Sequence, residues 1–68
     1  MKLYDVPRNT YVRLLEDNEP PPAGIKSDRG QIIKFGHIDG MYSYCTDTNG
    51  NTVHLKAWTE VEIVSDYP

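Results

Sequence analysis

Short runs of apolar residues, separated by tight-turn signals, extend along most of the chain. Their alternation predicts five strands, at residues 10–15, 31–38, 41–47, 51–57 and 60–64. Asp39-Gly40 and Asn49-Gly50 separate the three central strands, and such dipeptides favour tight β-hairpins. We find no segment with convincing helical periodicity. The sequence therefore predicts an all-β protein.

Two-residue turns at Asp39-Gly40 and Asn49-Gly50 would fix the register of the central strands. Phe35 would then lie opposite Tyr44, and Tyr44 opposite Leu55. Both turns agree on one inward face, and alternation extends that face to the outer strands. A three-residue bulged turn at either site would reverse one strand, so the agreement argues against such a turn. The predicted core comprises Val12, Leu14, Ile33, Phe35, Tyr42, Tyr44, Val53, Leu55, Val61 and Ile63.

Residues 16–29 interrupt the strand pattern with three consecutive prolines, Pro20, Pro21 and Pro22, in a charged setting. Consecutive prolines exclude a helix, so we expect a long Pro-rich loop with polyproline-II character. A chain of 68 residues makes at most one domain. Residues 1–68 are therefore predicted to form a single small β-barrel domain that carries this loop.

One predicted face of the central strands lacks carboxylates in a chain that is acidic overall. Seven Lys and Arg against ten Asp and Glu give a formal net charge of −3. A solvated face normally mixes charges, so we predict that this face contacts a partner, although curvature of the barrel could instead bury part of it. The outward positions carry Lys34, Gly36, Ile38, Met41, Ser43, Cys45, His54, Lys56 and Trp58. The candidate nucleic-acid or partner-binding residues are Lys34, Lys56, His54, Trp58, Met41 and Ile38. A structural alternative for Trp58 is a plug over one end of the barrel.

The residues offer no convincing active site. Cys45 and His54 lie opposite each other in the predicted register, and such a pair can supply a nucleophile and its base. A third, orienting group and a helix N-terminus to lower the thiol pKa are both missing, so we interpret the pair as structural. His37 and His54 are predicted on opposite faces, and no close-spaced set of zinc ligands is visible. We expect no enzymatic activity, cofactor, metal site or small-molecule substrate.

The remaining composition favours a cytoplasmic protein without a membrane span. No apolar run exceeds three residues, which excludes a transmembrane segment or a signal-peptide core from this sequence. The single cysteine, Cys45, excludes an internal disulfide and is typical of a reducing compartment. Because so short a chain buries only a marginal core, we expect stabilisation by homo-oligomerisation.

The order of these parts resembles the SH3-like and Sm-like small barrels: strand, long loop, three-stranded meander, tight turn and short strand. The likeness is carried at residues 30–55 by GQIIKFGHIDGMYSYCTDTNGNTVHL, whose Asp-Gly, Met-Tyr and Gly positions are similar to the first Sm motif. WTEVEIV resembles the closing turn and last strand. Asp39 lies further from Gly30 than in the Sm pattern, no Asn follows Met41, and the Arg-Gly of the second motif is absent. The chain also looks like short acidic Sm-like proteins of phage or marine metagenomic origin.

This resemblance implies a five-stranded, strongly bent antiparallel barrel that forms rings through its edge strands and binds RNA. Together with the acid-free face, it predicts a non-enzymatic, oligomeric protein that binds single-stranded RNA or DNA with low sequence specificity. The alternative is an SH3-like protein-interaction or structural module, such as a phage accessory subunit. In that case Ile38, Met41 and Trp58 would dock on a protein.

Overall fold

The computed structural model describes residues 1–18 and 27–65, which form one five-stranded antiparallel sheet. The strand order is β4-β3-β2-β1-β5. A 3-10 helix, Leu3–Asp5, precedes the sheet, and no helix among the described residues is long and apolar enough to cross a membrane. The predicted all-β class is confirmed. The strands are β1 (Thr10–Leu14), β2 (Ile32–Asp39), β3 (Tyr42–Asp47), β4 (Thr52–Val53) and β5 (Val61–Ile63).

The ends of the predicted Pro-rich loop meet next to the sheet. Asn18 and Ser27 form an antiparallel bridge, in which the Asn18 N–H donates to the Ser27 carbonyl at 3.0 Å. The three prolines predicted to adopt polyproline-II structure lie outside the described residues.

A β-bulge at Gly36 sets the register between β2 and β3. On the turn side of the bulge His37 pairs with Tyr44, whereas on the other side Phe35 pairs with Cys45. The predicted pairing of Phe35 with Tyr44 is therefore wrong. The bulge allows Phe35 to point into the core and His37 to point outward, although the two residues are separated by only one position.

Gly36 is required at the bulge because the β3 backbone passes directly beside it. A Cβ atom at this position would lie 2.6 Å from the Tyr44 carbonyl oxygen. The turn beyond the bulge also differs from the prediction, since Asp39 pairs with Tyr42 and the two-residue turn is Gly40-Met41.

The turn between β3 and β4 contains three residues, not two. The Asp47 N–H donates to the Asn51 carbonyl at 3.0 Å, and the Gly50 N–H donates to the Asp47 carbonyl at 3.2 Å. Gly50 has a φ of 87°, in the left-handed region that glycine adopts at little cost. The Asp47 carboxylate accepts the backbone N–H groups of Asn49 and Asn51, both at 2.9 Å. The hydrogen bonds from the turn, led by that of the Asn51 backbone, lower the pKa of Asp47.

The bulge and the three-residue turn lie on opposite sides of β3 and together reverse this strand and the end of β2 beyond Gly36. Cys45 therefore pairs with Val53, and the predicted pairing of Tyr44 with Leu55 is wrong. Ser43 and Cys45 are buried, whereas Tyr44 is 43% exposed. β1, β4 and the part of β2 before the bulge keep their predicted inward faces.

Most of the predicted core is confirmed outside β3. Tyr42 is only half-buried, and Tyr44 and Ile63 are exposed, so these three predictions are wrong. Leu3 and Val6, which precede the first strand, fill core positions that the strand pattern missed. The core comprises Leu3, Val6, Val12, Leu14, Ile33, Phe35, Cys45, Val53, Leu55 and Val61.

The Ser43 side chain makes the two hydrogen bonds to the Leu55 backbone that a neighbouring backbone would make in a regular sheet. Its hydroxyl donates to the Leu55 carbonyl at 2.9 Å and accepts from the Leu55 N–H at 3.3 Å. The Cys45 Sγ lies 3.2 Å from the same oxygen. Because the hydroxyl proton already points to Leu55, the Cys45 thiol is the donor in that contact. A serine is therefore accommodated in the core with all its hydrogen bonds made.

The N-terminal residues cover part of the outer edge of β5. The Leu3 N–H donates to the Thr59 carbonyl at 2.9 Å, and the Val61 N–H donates to the Met1 carbonyl at 2.8 Å. Lys2 forms a 2.7 Å ion pair with Glu60 beside these bonds. This pairing occupies backbone groups that an exposed edge strand would offer to another chain.

Gly36→Ala is expected to lower the free energy of unfolding by about 1–3 kcal/mol, because its methyl group would force the Tyr44 carbonyl away. Urea denaturation measures this change. Thr48→Ala, at an exposed turn position, is the control and should shift stability by less than about 0.5 kcal/mol. Equal stability of Gly36→Ala and the wild type would contradict the close approach.

Candidate functional site

The candidate site is the face of the sheet that points away from the core. Its residues alternate with the buried ones along β1 to β5 and continue past β4 to Lys56, which bridges to Tyr42. We call it the outer face. It comprises Tyr11, Arg13, Ile32, Lys34, His37, Asp39, Tyr42, Tyr44, Thr46, Thr52, His54, Lys56 and Glu62.

The outer face is more positive than the chain as a whole. Within the described residues it carries three cationic side chains and two carboxylates, whereas the chain has a net charge of −3. Arg13 and Glu62 form an exposed ion pair of 2.6 Å and neutralise each other. Among the described residues of the outer face, Asp39 at the turn end of β2 is thus the only unpaired carboxylate that opposes Lys34 and Lys56.

Lys34 lies in the middle of the sheet between two polar or aromatic neighbours. It pairs with Tyr11 on β1 and with Thr46 on β3. Its Nζ is 5.7 Å from the centroid of the Tyr11 ring, within the range of a cation–π contact. The ammonium group is therefore available above the sheet together with an aromatic ring.

Three rings form a continuous cluster across β2, β3 and the end of β4. The Tyr44 ring stacks on the His37 ring, with centroids 5.0 Å apart and planes inclined by 24°. It meets the His54 ring edge to face, with centroids 4.9 Å apart. We call these three residues the ring cluster. The prediction that His37 and His54 point to opposite faces is wrong, because the bulge turns His37 outward.

His54 is held in place by the backbone of β3. Its Nδ1 lies 3.1 Å from the Ser43 carbonyl oxygen. A carbonyl can only accept, so in this contact Nδ1 carries the proton, and in the neutral ring Nε2 is the unprotonated nitrogen. The hydrogen bond fixes the imidazole against Tyr44.

Cys45 and His54 do not form the opposed pair that the sequence predicts. Cys45 pairs with Val53 and is buried, whereas His54 belongs to the outer face. Burial raises the pKa of the Cys45 thiol, although its hydrogen bonds with Ser43 and with the Gly36 backbone act in the opposite direction. No group of three or more His, Cys, Asp and Glu side chains among residues 1–18 and 27–65 is arranged to hold a metal ion.

The six predicted site residues lie in three different places. Lys34, His54 and Lys56 lie together on the outer face, whereas Ile38 points inward and packs against the core. Met41 and Trp58 occupy turns, with exposures of 65% and 44%, so Trp58 is not a buried plug.

A second exposed surface lies at the turn end of the sheet. Tyr4 donates its N–H to the Ala57 carbonyl, and Ala57 donates its N–H to the Met41 carbonyl, both at 2.9 Å. These bonds bring the exposed side chains of Tyr4, Met41 and Trp58 to one end of the molecule. We call these three residues the apolar end.

The sequence prediction missed Tyr11, His37 and Tyr44 as outer-face residues. A signal for the two ring-cluster members was present, because an isolated glycine within a strand pattern is typical of a bulge. Tyr11 follows from the alternation of β1 with buried Val12.

Comparisons of the chain with protein-family models, curated proteins and solved structures found no significant match. The interpretation of function therefore depends on the geometry and charge of the outer face and the apolar end.

The Cys45 thiol is expected to resist a thiol-reactive dye in the folded protein, because it is 2% exposed and has a raised pKa. Reaction should become complete when urea unfolds the chain. The rate of colour development with an aromatic disulfide reagent at pH 8 measures this difference. If the folded protein reacts as fast as the unfolded chain, Cys45 is not buried.

Proposed function

We propose that this protein binds single-stranded RNA or DNA with low sequence specificity through the outer face, without catalysing a reaction. The observation that carries the proposal is the placement of Lys34, Lys56 and the ring cluster on one face of a net-negative chain. Cationic groups meet phosphates and aromatic rings stack on bases, which together give sequence-tolerant binding.

The charge pattern also restricts where the nucleic-acid backbone runs. Lys34 lies at the centre of the sheet and Lys56 beyond the end of β4, so phosphates between them would pass over β3. Most of the acidic residues lie off this face, which keeps repulsion of phosphate away from the path. Arg13 contributes less because Glu62 already pairs with it.

Ring assembly and membership of the Sm-like small barrels, including a phage or marine origin, stay predictions. A ring through the β5 edge would have to form beyond Val61 or displace the N-terminal residues, since those residues hydrogen-bond to Thr59 and Val61. Binding through the outer face does not require assembly, because the residues involved belong to one chain.

The apolar end supports a second candidate function, docking on a partner protein. Tyr4, Met41 and Trp58 are each more than 40% exposed. Such side chains are typical of protein interfaces, where aromatic residues and methionine are enriched. Binding at this end would depend little on salt, which separates it experimentally from phosphate contacts.

The combined substitution Lys34→Glu and Lys56→Glu is expected to weaken binding of a labelled 15-nucleotide dT or rU oligomer at least tenfold. It should also reduce the slope of log affinity against log salt by about 1.4, since each single-stranded phosphate contact contributes about 0.7. Fluorescence anisotropy from 50 to about 200 mM salt measures both.

Lys34→Glu alone is compared with Arg29→Glu, which makes the same change in charge in the loop before β2. Arg29→Glu should leave affinity within about threefold of the wild type. Unchanged affinity of the double variant would show that the outer face is not the site. The second function would be favoured if the wild type binds no oligomer at the lowest salt but captures a protein partner. That capture should not depend on salt, and Trp58→Ala should abolish it.

A further inference from the structure

His37 presents an exposed ring beyond the last residue pair that joins β2 to β1. The ladder between β1 and β2 ends with the pair Thr10 and Phe35. His37 lies beyond this last pair and has a partner on the β3 side, Tyr44. Its side chain is exposed. One side of the imidazole is therefore covered by Tyr44, and the other lies beyond the end of the β1 ladder.

Tyr44 and His54 hold the His37 ring in a fixed position. The near-parallel stacking of His37 on Tyr44, at 5.0 Å and 24°, covers one face of the imidazole. Tyr44 is in turn braced by His54, whose Nδ1 is bonded to the Ser43 carbonyl at 3.1 Å. A ring that is already held loses little conformational freedom when a second flat ring is added to the stack.

Along β2, a positively charged side chain precedes His37 and a negatively charged one follows it. Lys34 precedes it on the same strand and face, at about 10 Å along β2 if each residue advances the chain by roughly 3.3 Å. Asp39 follows it on the turn side. A flat ligand that carries a negative group would therefore place that group toward Lys34 and away from Asp39. A nucleotide within a single strand has this combination of a flat ring and a phosphate.

We propose that the exposed face of His37, backed by Tyr44, is a stacking site for one nucleobase of a single-stranded nucleic acid, with its phosphate toward Lys34. This inference rests on the proposed function and adds to it a specific base-binding residue. Stacking on the π-face of a ring is tolerant of base identity and requires an unpaired base.

The test compares His37→Leu with His37→Phe by anisotropy of labelled single-stranded dT and rU oligomers. His37→Phe keeps a flat ring and removes the ring nitrogens, whereas His37→Leu removes the ring. We expect His37→Leu to weaken binding about tenfold, within the range measured for loss of one stacked base, and His37→Phe to remain within threefold of the wild type. Tyr44→Leu, which removes the backing ring, should also weaken binding.

Two further measurements keep the test independent of folding. Thermal unfolding establishes that each variant is folded, which is expected at an exposed position. In the wild type, addition of the oligomer should shift the His37 ring-proton resonances upfield, because they enter the ring current of the base. An abasic oligomer of the same length and charge should not produce this shift.

The outcomes separate the two proposals. Loss of affinity in His37→Leu with retention in His37→Phe supports the stacking site. If the wild type binds and both variants bind equally well, or both lose affinity equally, the stacking site is overturned and the proposed function stands. If the wild type binds no oligomer at 50 mM salt, both are overturned.

Discussion

The close approach of Gly36 to the Tyr44 carbonyl is the constraint on which the rest of the structure depends. No side chain fits between the two backbones, since a Cβ atom would lie 2.6 Å from the oxygen. The bulge at this point takes up one residue of β2, which allows Phe35 to enter the core while His37 points outward. The composition of both faces of β3 follows from this local arrangement. Without it, the tyrosines would compete for the interior and the ring cluster would not exist.

The three-residue turn at the other end of β3 makes the bulge compatible with the remaining sheet. Its extra residue reverses the parity between β3 and β4, so Val53 and Leu55 still point inward. The two irregularities thus compensate each other, and only β3 and the end of β2 beyond Gly36 are turned over. The cost of burying a polar residue there is offset because the Ser43 hydroxyl bonds both backbone groups of Leu55.

Sequence patterning predicted the fold class and the inward faces of β1, β4 and the part of β2 before the bulge, but not those of β3 or of β2 beyond Gly36. Alternation is local and was correct wherever a strand is regular, as for Val12 and Leu14. The register across a hairpin depends on turn length and bulges, and one residue of error exchanges the two faces. The two assumed two-residue turns agreed on one inward face, but this agreement was misleading. Two irregularities that compensate each other give an equally consistent face. Lys34, His54 and Lys56 were placed on one face correctly, since β2 before the bulge and the chain from β4 onward keep their alternation. His37 and Tyr44 were missed because they depend on the bulge.

Both the core and the candidate site depend on the reversed face of β3. Two-dimensional and isotope-edited NOE spectra test it most directly. We expect NOEs from the Tyr44 ring protons to the rings of both His37 and His54, and from the Cys45 β-protons to Val53. NOEs that instead connect the Tyr44 ring to Phe35 and Leu55 would show that β3 is not reversed.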